Sequence, residues 1–254
     1  LNVQRAEINP ETIEKDTARA LVADTIGYVY HGNDVEQIGP LIKDLKHADR
    51  PVLLIGGGVR GKRAQDALDV LAEALRIPIF PTWNALDVVP SDHPWYGGRV
   101  GTYGGPGRNF AVQNADLLIA VGCRISGRIT GGKPETFARG AKKYVVDVDP
   151  GLLDPRNQEV KTDVSILCDA ETFLRELERR YRQDSIDGNQ GPEYRRFQSW
   201  LQWRDRAFEW RDLYDPYHDA FYKRPDLYIE SGVHPYAFAR RLSQLALANS
   251  VIVY

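Results

Sequence analysis

Residues 51–75 read PVLLIGGGVRGKRAQDALDVLAEAL, and the fold is decided inside them. The first five, Pro51–Ile55, are a short continuous apolar run, the pattern of a strand covered on both faces. Gly56, Gly57 and Gly58 follow at once, so the backbone can turn sharply and lie bare against a neighbour. Ala64, Ala67, Leu68, Leu71 and Leu75 then recur at helical spacing. Strand, glycine turn and helix make the first half of a βαβ unit. The free amides at such a helix start suit an anion such as a nucleotide diphosphate. The same residues also suit a plain strand–turn–helix corner with no ligand, because a short glycine motif is a weak signal alone.

Working outward, residues 77–80 (IPIF) form the next strand, which ends at Pro81, Thr82, Trp83 and Asn84. A long loop carries PSDHP (90–94) and GGRVGTYGGPG (97–107), and residues 109–114 suit a short helix. Residues 116–121 (DLLIAV) are a buried strand closed by Gly122, and 144–148 (YVVDV) another, closed by Asp149 and Pro150. A last strand falls at Val164–Leu167, before a helix from Ala170 to about Arg182. On the amino side, Asp34 can cap a helix to about Ala48, with Ile38, Leu41, Ile42 and Leu45 on one face. β-Branched runs separated by helices predict an α/β fold, a doubly wound parallel sheet covered on both sides. The carboxyl ends of such strands line one crevice, the place for a ligand.

Beyond residue 182 the character changes. Residues 183–191 are polar and glycine-containing, and the next stretch places Phe197, Trp200, Trp203, Ala207, Trp210 and Tyr214 at near-helical spacing among arginines. Aromatics among arginines can stack on nucleic acid. Acidic and basic residues balance to a formal net charge of −2, so a helix packing its tryptophans on a neighbouring domain is the expectation instead. The same balance disfavours an anionic membrane surface as partner. No apolar run approaches the roughly 20 residues that span a bilayer. Cys123 and Cys168 lack metal-ligand spacing, the histidines are scattered, and no metal site is expected; a reducing cytoplasm fits best. The chain has no methionine, opens on Leu1 and stops on the apolar run 250–254 (SVIVY), so an internal piece of a longer protein is expected.

Several motifs in order carry a resemblance. FAVQNADLLIAVGCRISGRITG (110–131) and KKYVVDVDP (142–150) closely resemble the central domain of acetolactate synthase and related thiamine-diphosphate enzymes. PVLLIGGG, PSDHP and GRVGTYGG sit in that family's order, and HPYAFARRLSQLALANSVIVY (234–254) resembles the start of its third domain. The resemblance implies a Rossmann-like central domain of the FAD/NAD-binding type over 34–182. It makes 1–33 a linker from an N-terminal pyrimidine-binding domain, 183–233 a helical linker and 234–254 the start of a diphosphate-binding domain. Thiamine diphosphate and magnesium would lie on the flanking domains of a homodimer or homotetramer acting on a 2-keto acid. This stretch would then hold no catalytic residue of the thiamine chemistry.

By the same resemblance the central domain holds FAD, holds ADP, or is empty. A nucleotide would run past Gly56, Gly57, Gly58, Gly101 and Thr102, with Thr82 and Trp83 along its ring. Gly122, Arg124 and Arg128 match the family's GxRxxxR stretch, where arginine reaches phosphate or ring oxygens. Asp147 or Asp149 would accept from a ribose, and Asp169 and Ala170 would flank adenine. Departures weaken FAD in particular: ISGRITG (125–131) replaces FDDRVTG, Cys168 replaces a glycine, and the 98–108 loop differs from LGMHG. A ligand-free scaffold domain therefore stays open, and Arg124 and Arg128 could instead serve a structural ion pair. An NAD-dependent dehydrogenase is disfavoured, since GGGVRG (56–61) lacks the spaced GxGxxG.

Overall fold

Continuous apolar runs become central strands because both their faces are covered. Every residue of β1 (Pro51–Ile55) and of β3 (Leu117–Val121) is buried. The computed structural model describes residues 34–186, 192–215 and 235–247. The five strands are completed by β2 (Ile79–Pro81), β4 (Lys142–Asp147) and β5 (Val164–Leu167). All pair in parallel, in the order β2-β1-β3-β4-β5. The chain therefore leaves β1 for one edge, then returns to build outward on its other side. That reversal places a topological switch point between β1 and β3.

Alternate residues of each strand feed two cores. Leu53, Ile55, Ile119, Val121 and Val146 face helices α1 (Ile38–His47), α2 (Lys62–Leu75) and α6 (Ala170–Ile186). Val52, Leu54, Leu118, Ala120 and Val145 face the other side. That side is covered by α3 (Pro106–Gln113) and the single turns α4 (Gly127–Thr130) and α5 (Pro150–Leu153). The expected doubly wound sheet is what forms. Some bounds move: β2 starts two residues later than 77, α3 starts three residues before 109, and Asp34 makes no side-chain cap to the turn that precedes α1.

The aromatic helix α7 (Pro192–Leu213) packs on the sheet domain that precedes it in the chain. Its tryptophans pack on this same domain. Trp200 Nε1 donates to Ala48 O (2.8 Å) and Trp203 Nε1 to Pro51 O (3.2 Å), so α7 crosses the amino end of β1. Trp200 joins one core and Trp203 with Ala207 the other. Farther on, α7 lies on α3 so closely that a Cβ at Gly107 would sit 1.9 Å from Trp210 O. A last helix, α8 (Pro235–Leu245), leaves Phe238, Leu242 and Leu245 exposed. The expected linker at 1–33, most of the polar stretch at 183–191 and the strand at 250–254 lie outside the described residues.

The loop after β2 closes that edge of the sheet. Ile79 N donates to Trp95 O (2.8 Å), Gly97 N to Ile79 O (2.8 Å) and Val100 N to Pro81 O (3.3 Å). On the surface of α6, Arg179 and Arg180 donate to Glu176. The Arg179 bond chiefly holds the Glu176 carboxyl down at about 2 against a usual 4.5, with partial burial opposing. A carboxyl lowered by folding adds stability above its unfolded pKa and loses it as pH falls through the folded one. Glu176→Gln is therefore expected to flatten the stability profile between pH 4.5 and 2 in urea titrations. The change should stay below about 1 kcal/mol, as for other surface pairs; an unchanged acid limb would count against the pair.

Candidate functional site

The switch point is built from backbone lying on backbone. Gly56 N donates to Val121 O (3.0 Å) and Gly58 N to Gly122 O (3.1 Å). A Cβ on Gly56 would fall 1.9 Å from Gly122 O, and one on Gly122 would fall 2.7 Å from Gly58 Cα. Gly122 also has φ +55°, a left-handed conformation that favours glycine. The turns after β1 and β3 thus interlock, and both open at the carboxyl edge. Gly57 faces the next turn, with Asn84 O 3.1 Å from where its Cβ would be. Arg60 braces that turn, donating to Asn84 O (2.6 Å) and to Asp87.

Thr82 is fully buried and its Oγ1 donates to Asn84 Oδ1 (2.7 Å), so it shapes the turn from within. Trp83 stands out at the edge, 49% exposed, with the Arg128 guanidinium 4.7 Å above its ring. Such cation–π stacking orders two side chains that would otherwise wander. Gly101, at φ +133°, is clasped by Asn109, which accepts from Gly101 N (3.1 Å) and donates to Gly101 O (3.0 Å). Thr102 donates through N and Oγ1 to Arg128 O and through Oγ1 to Gly127 O, stitching the loop to α4. Trp83, Arg128, Gly101, Arg99 and Tyr103 surround a hollow of about 180 Å³.

A second hollow lies at the ends of β3 and β4, between Arg124, Asp147 and residues 157–162, and holds only about 30 Å³. Burial, opposed by the amides of Asp149 and Val148, pushes the Asp147 carboxyl up. Burial, followed by the nearby Asp147, also pushes the Cys123 thiol up, which makes it an inert wall. Asp149 Oδ1 is spent on Gly151 N (2.7 Å) at the start of α5, and Asp169 Oδ1 on Thr172 N (3.1 Å) at the start of α6. Ala170, the first residue of α6, is buried in the core.

The glycines, Thr82, Trp83, Gly101, Thr102, Gly122 and Arg128 therefore gather round the switch point. Arg124 and Asp147 line a separate, smaller hollow, and Asp149 and Asp169 serve as helix caps. Among the described residues neither Arg124 nor Arg128 makes an ion pair. No group of His, Cys, Asp and Glu able to hold a metal occurs among those residues either. The sequence reading missed Arg99 and Tyr103, although both stand inside the GRVGTYGG run.

The family model for the central domain of thiamine pyrophosphate enzymes matches residues 38–177. The chain belongs to that family. A probable acetolactate synthase large subunit from Methanocaldococcus jannaschii is 38% identical over 180 residues, 69% of this chain and 29% of that protein. The acetolactate synthase isozyme 2 large subunit of Escherichia coli is 41% identical over 114 residues, 45% of this chain and 21% of that protein. The acetolactate synthase of Mycobacterium avium is 37% identical over 153 residues, 60% and 24% respectively. The chain thus spans less than a third of the length of these relatives.

In this thiamine pyrophosphate enzyme domain the matched span runs from α1 into α6 and takes in the whole sheet. Helix α7, lying beyond the match, completes both cores. No helix among the described residues is long and apolar enough to cross a membrane.

Proposed function

We propose that this central domain carries FAD or ADP across the carboxyl edge of its sheet. The whole protein, on this reading, is an acetolactate synthase-like enzyme that decarboxylates a 2-keto acid and transfers the acyl group. Thiamine diphosphate with magnesium supplies that chemistry when bound, on domains flanking residues 34–182. The domain's own residues bind, orient and exclude water, and its packed cores hold the flanking domains of a homo-oligomer at a fixed distance.

One observation carries the nucleotide reading. At the switch point the interlocked glycines leave bare backbone near Trp83, and Arg128 keeps its guanidinium without a carboxylate partner among the described residues. Bare backbone lets a diphosphate approach closely, and guanidinium supplies paired donors to its oxygens. The indole of Trp83 offers a flat, half-exposed face to a ring.

A flavin absorption band that survives desalting favours FAD, and a colourless protein stabilised by ADP favours the adenine nucleotide alone. A ligand at a hundred times its Kd adds about 2.7 kcal/mol. For a chain of this size that raises Tm by roughly 5–10 °C. Arg128→Gln should remove most of that shift. The ligand-free scaffold is the second reading, favoured by the tightness of the Arg124–Asp147 hollow at about 30 Å³. It prevails if neither nucleotide moves the melting temperature.

A further inference from the structure

A basic hollow larger than the nucleotide crevice lies beside it. It lies between the loop after β2 and the end of α7, holds about 600 Å³, and has Tyr96, Arg99, Tyr103, Arg108 and Arg211 on its walls. We propose that it is a binding site in its own right, for the phosphoryl end of a small molecule with an apolar or ring-shaped body.

Arg108 is the centre of the argument. Its side chain is only 15% exposed, yet its guanidinium makes no hydrogen bond among the described residues, and its Nε is buried with no partner. The nearest carboxylate oxygen, Asp215 Oδ1, stands 3.9 Å from Nη2, beyond hydrogen-bond range. Two glycines hold the slot open for this group. A Cβ on Gly98 would fall 2.3 Å from Arg108 Nε, and one on Gly105 would fall 2.2 Å from Nη1. The fold thus reserves space for a guanidinium and, among the described residues, gives it no hydrogen-bond acceptor. A buried charge in that state is costly unless something in the hollow accepts from it.

The other charges decide the sign. Arg211 is already used as a brace: Nη1 donates to Tyr96 O (2.5 Å), and Nε and Nη2 bond to Asp212, which neutralises both. Arg99 makes no hydrogen bond or ion pair among the described residues. Among the described residues lining the hollow, Arg99 and Arg108 against Asp215 leave one positive charge over. A phosphoryl group has enough oxygens to accept from two guanidinium forks at once. The volume lies within the roughly 300–1,000 Å³ of small-molecule sites, so more than a bare ion fits. Leu86 and the 87%-exposed Tyr103 give the body of such a ligand an apolar wall and a ring to stack on.

Calorimetric titration of the full chain with inorganic pyrophosphate at low salt tests this. Saturable binding is expected, weakened roughly tenfold to a hundredfold by Arg108→Gln. Arg108→Lys should recover part of it, since the charge returns without the fork. Arg99 lines both hollows, so Arg99→Gln should weaken it too, and Arg108→Lys decides the matter if Arg108→Gln fails to fold. Arg128→Gln, at the nucleotide crevice, should leave it unchanged. No binding at millimolar pyrophosphate overturns the proposal, as does loss of binding in Arg128→Gln with retention in Arg108→Gln, which would assign the anion to the crevice.

Discussion

Gly56→Val should destabilise the domain by about 4 kcal/mol, the far end of what one substitution does. Its Cβ would sit 1.9 Å from Gly122 O and 2.5 Å from Cys123 Cα, both backbone atoms. No side chain can swing aside, so β1 and β3 must separate at their carboxyl ends. The hydrogen bonds from Gly56 N to Val121 O and from Gly58 N to Gly122 O would go with that separation. Gly61→Ala is the matched control. Gly61 has φ −60° and nothing within 4 Å of its would-be Cβ, so its stability should stay within about 0.5 kcal/mol. Urea midpoints of the two variants check the contrast. Equal midpoints would mean that the corner yields, and a corner that yields cannot hold a rigid diphosphate cradle.

Trp203→Ala is the second large effect expected, at about 3–5 kcal/mol for an aromatic truncated inside a core. Trp203 is 6% exposed, shares one core with Val52, Leu54 and Leu118, and donates to Pro51 O. Trp203→Phe should keep most of the packing but leave a buried carbonyl unmatched, at a cost of roughly 1–3 kcal/mol. Far-UV circular dichroism through a urea series reports both. If α7 only bridged to another domain, Trp203→Ala would leave the sheet's midpoint where it was.

The two tryptophans show why sequence took the argument only part of the way. Periodicity marks a helix with an aromatic stripe, but Trp200 meets Ala48 across 152 positions, and nothing local names that partner. Strands β1 and β3 were legible because burial on both faces leaves an unbroken apolar run. The start of β4 was not. Lys142 and Lys143 pair with Leu117 and Leu118 through backbone, which hydropathy does not record. Helix α3 was placed three residues late because Gly105, Pro106 and Gly107 look like loop. Proline at the first turn is in fact a helix start, and Gly107 is small because α7 lies on it.

The candidate site divides the same way. The glycines after β1 announced a bare turn, yet what lies against Gly56 is Gly122, a neighbour fixed by strand order and not by spacing. Arg124 and Arg128, four apart, seemed one phosphate clamp and open into different hollows. Asp149 and Asp169 follow strand ends as ligand carboxylates do, and also as helix caps do, and their bonds to Gly151 and Thr172 are of the second kind.

The loop that seals β2 bears on how such domains can associate. Along its outer side Ile79 has both backbone groups taken, Pro81 has no N–H to offer, and its carbonyl is held by Val100. A strand from another chain finds no donor or acceptor there, so the sheet cannot be extended across a subunit boundary on that flank. Any assembly built on this side must meet through side chains of helices and loops. Its geometry is then tunable by substitution without touching the register that holds the crevice together.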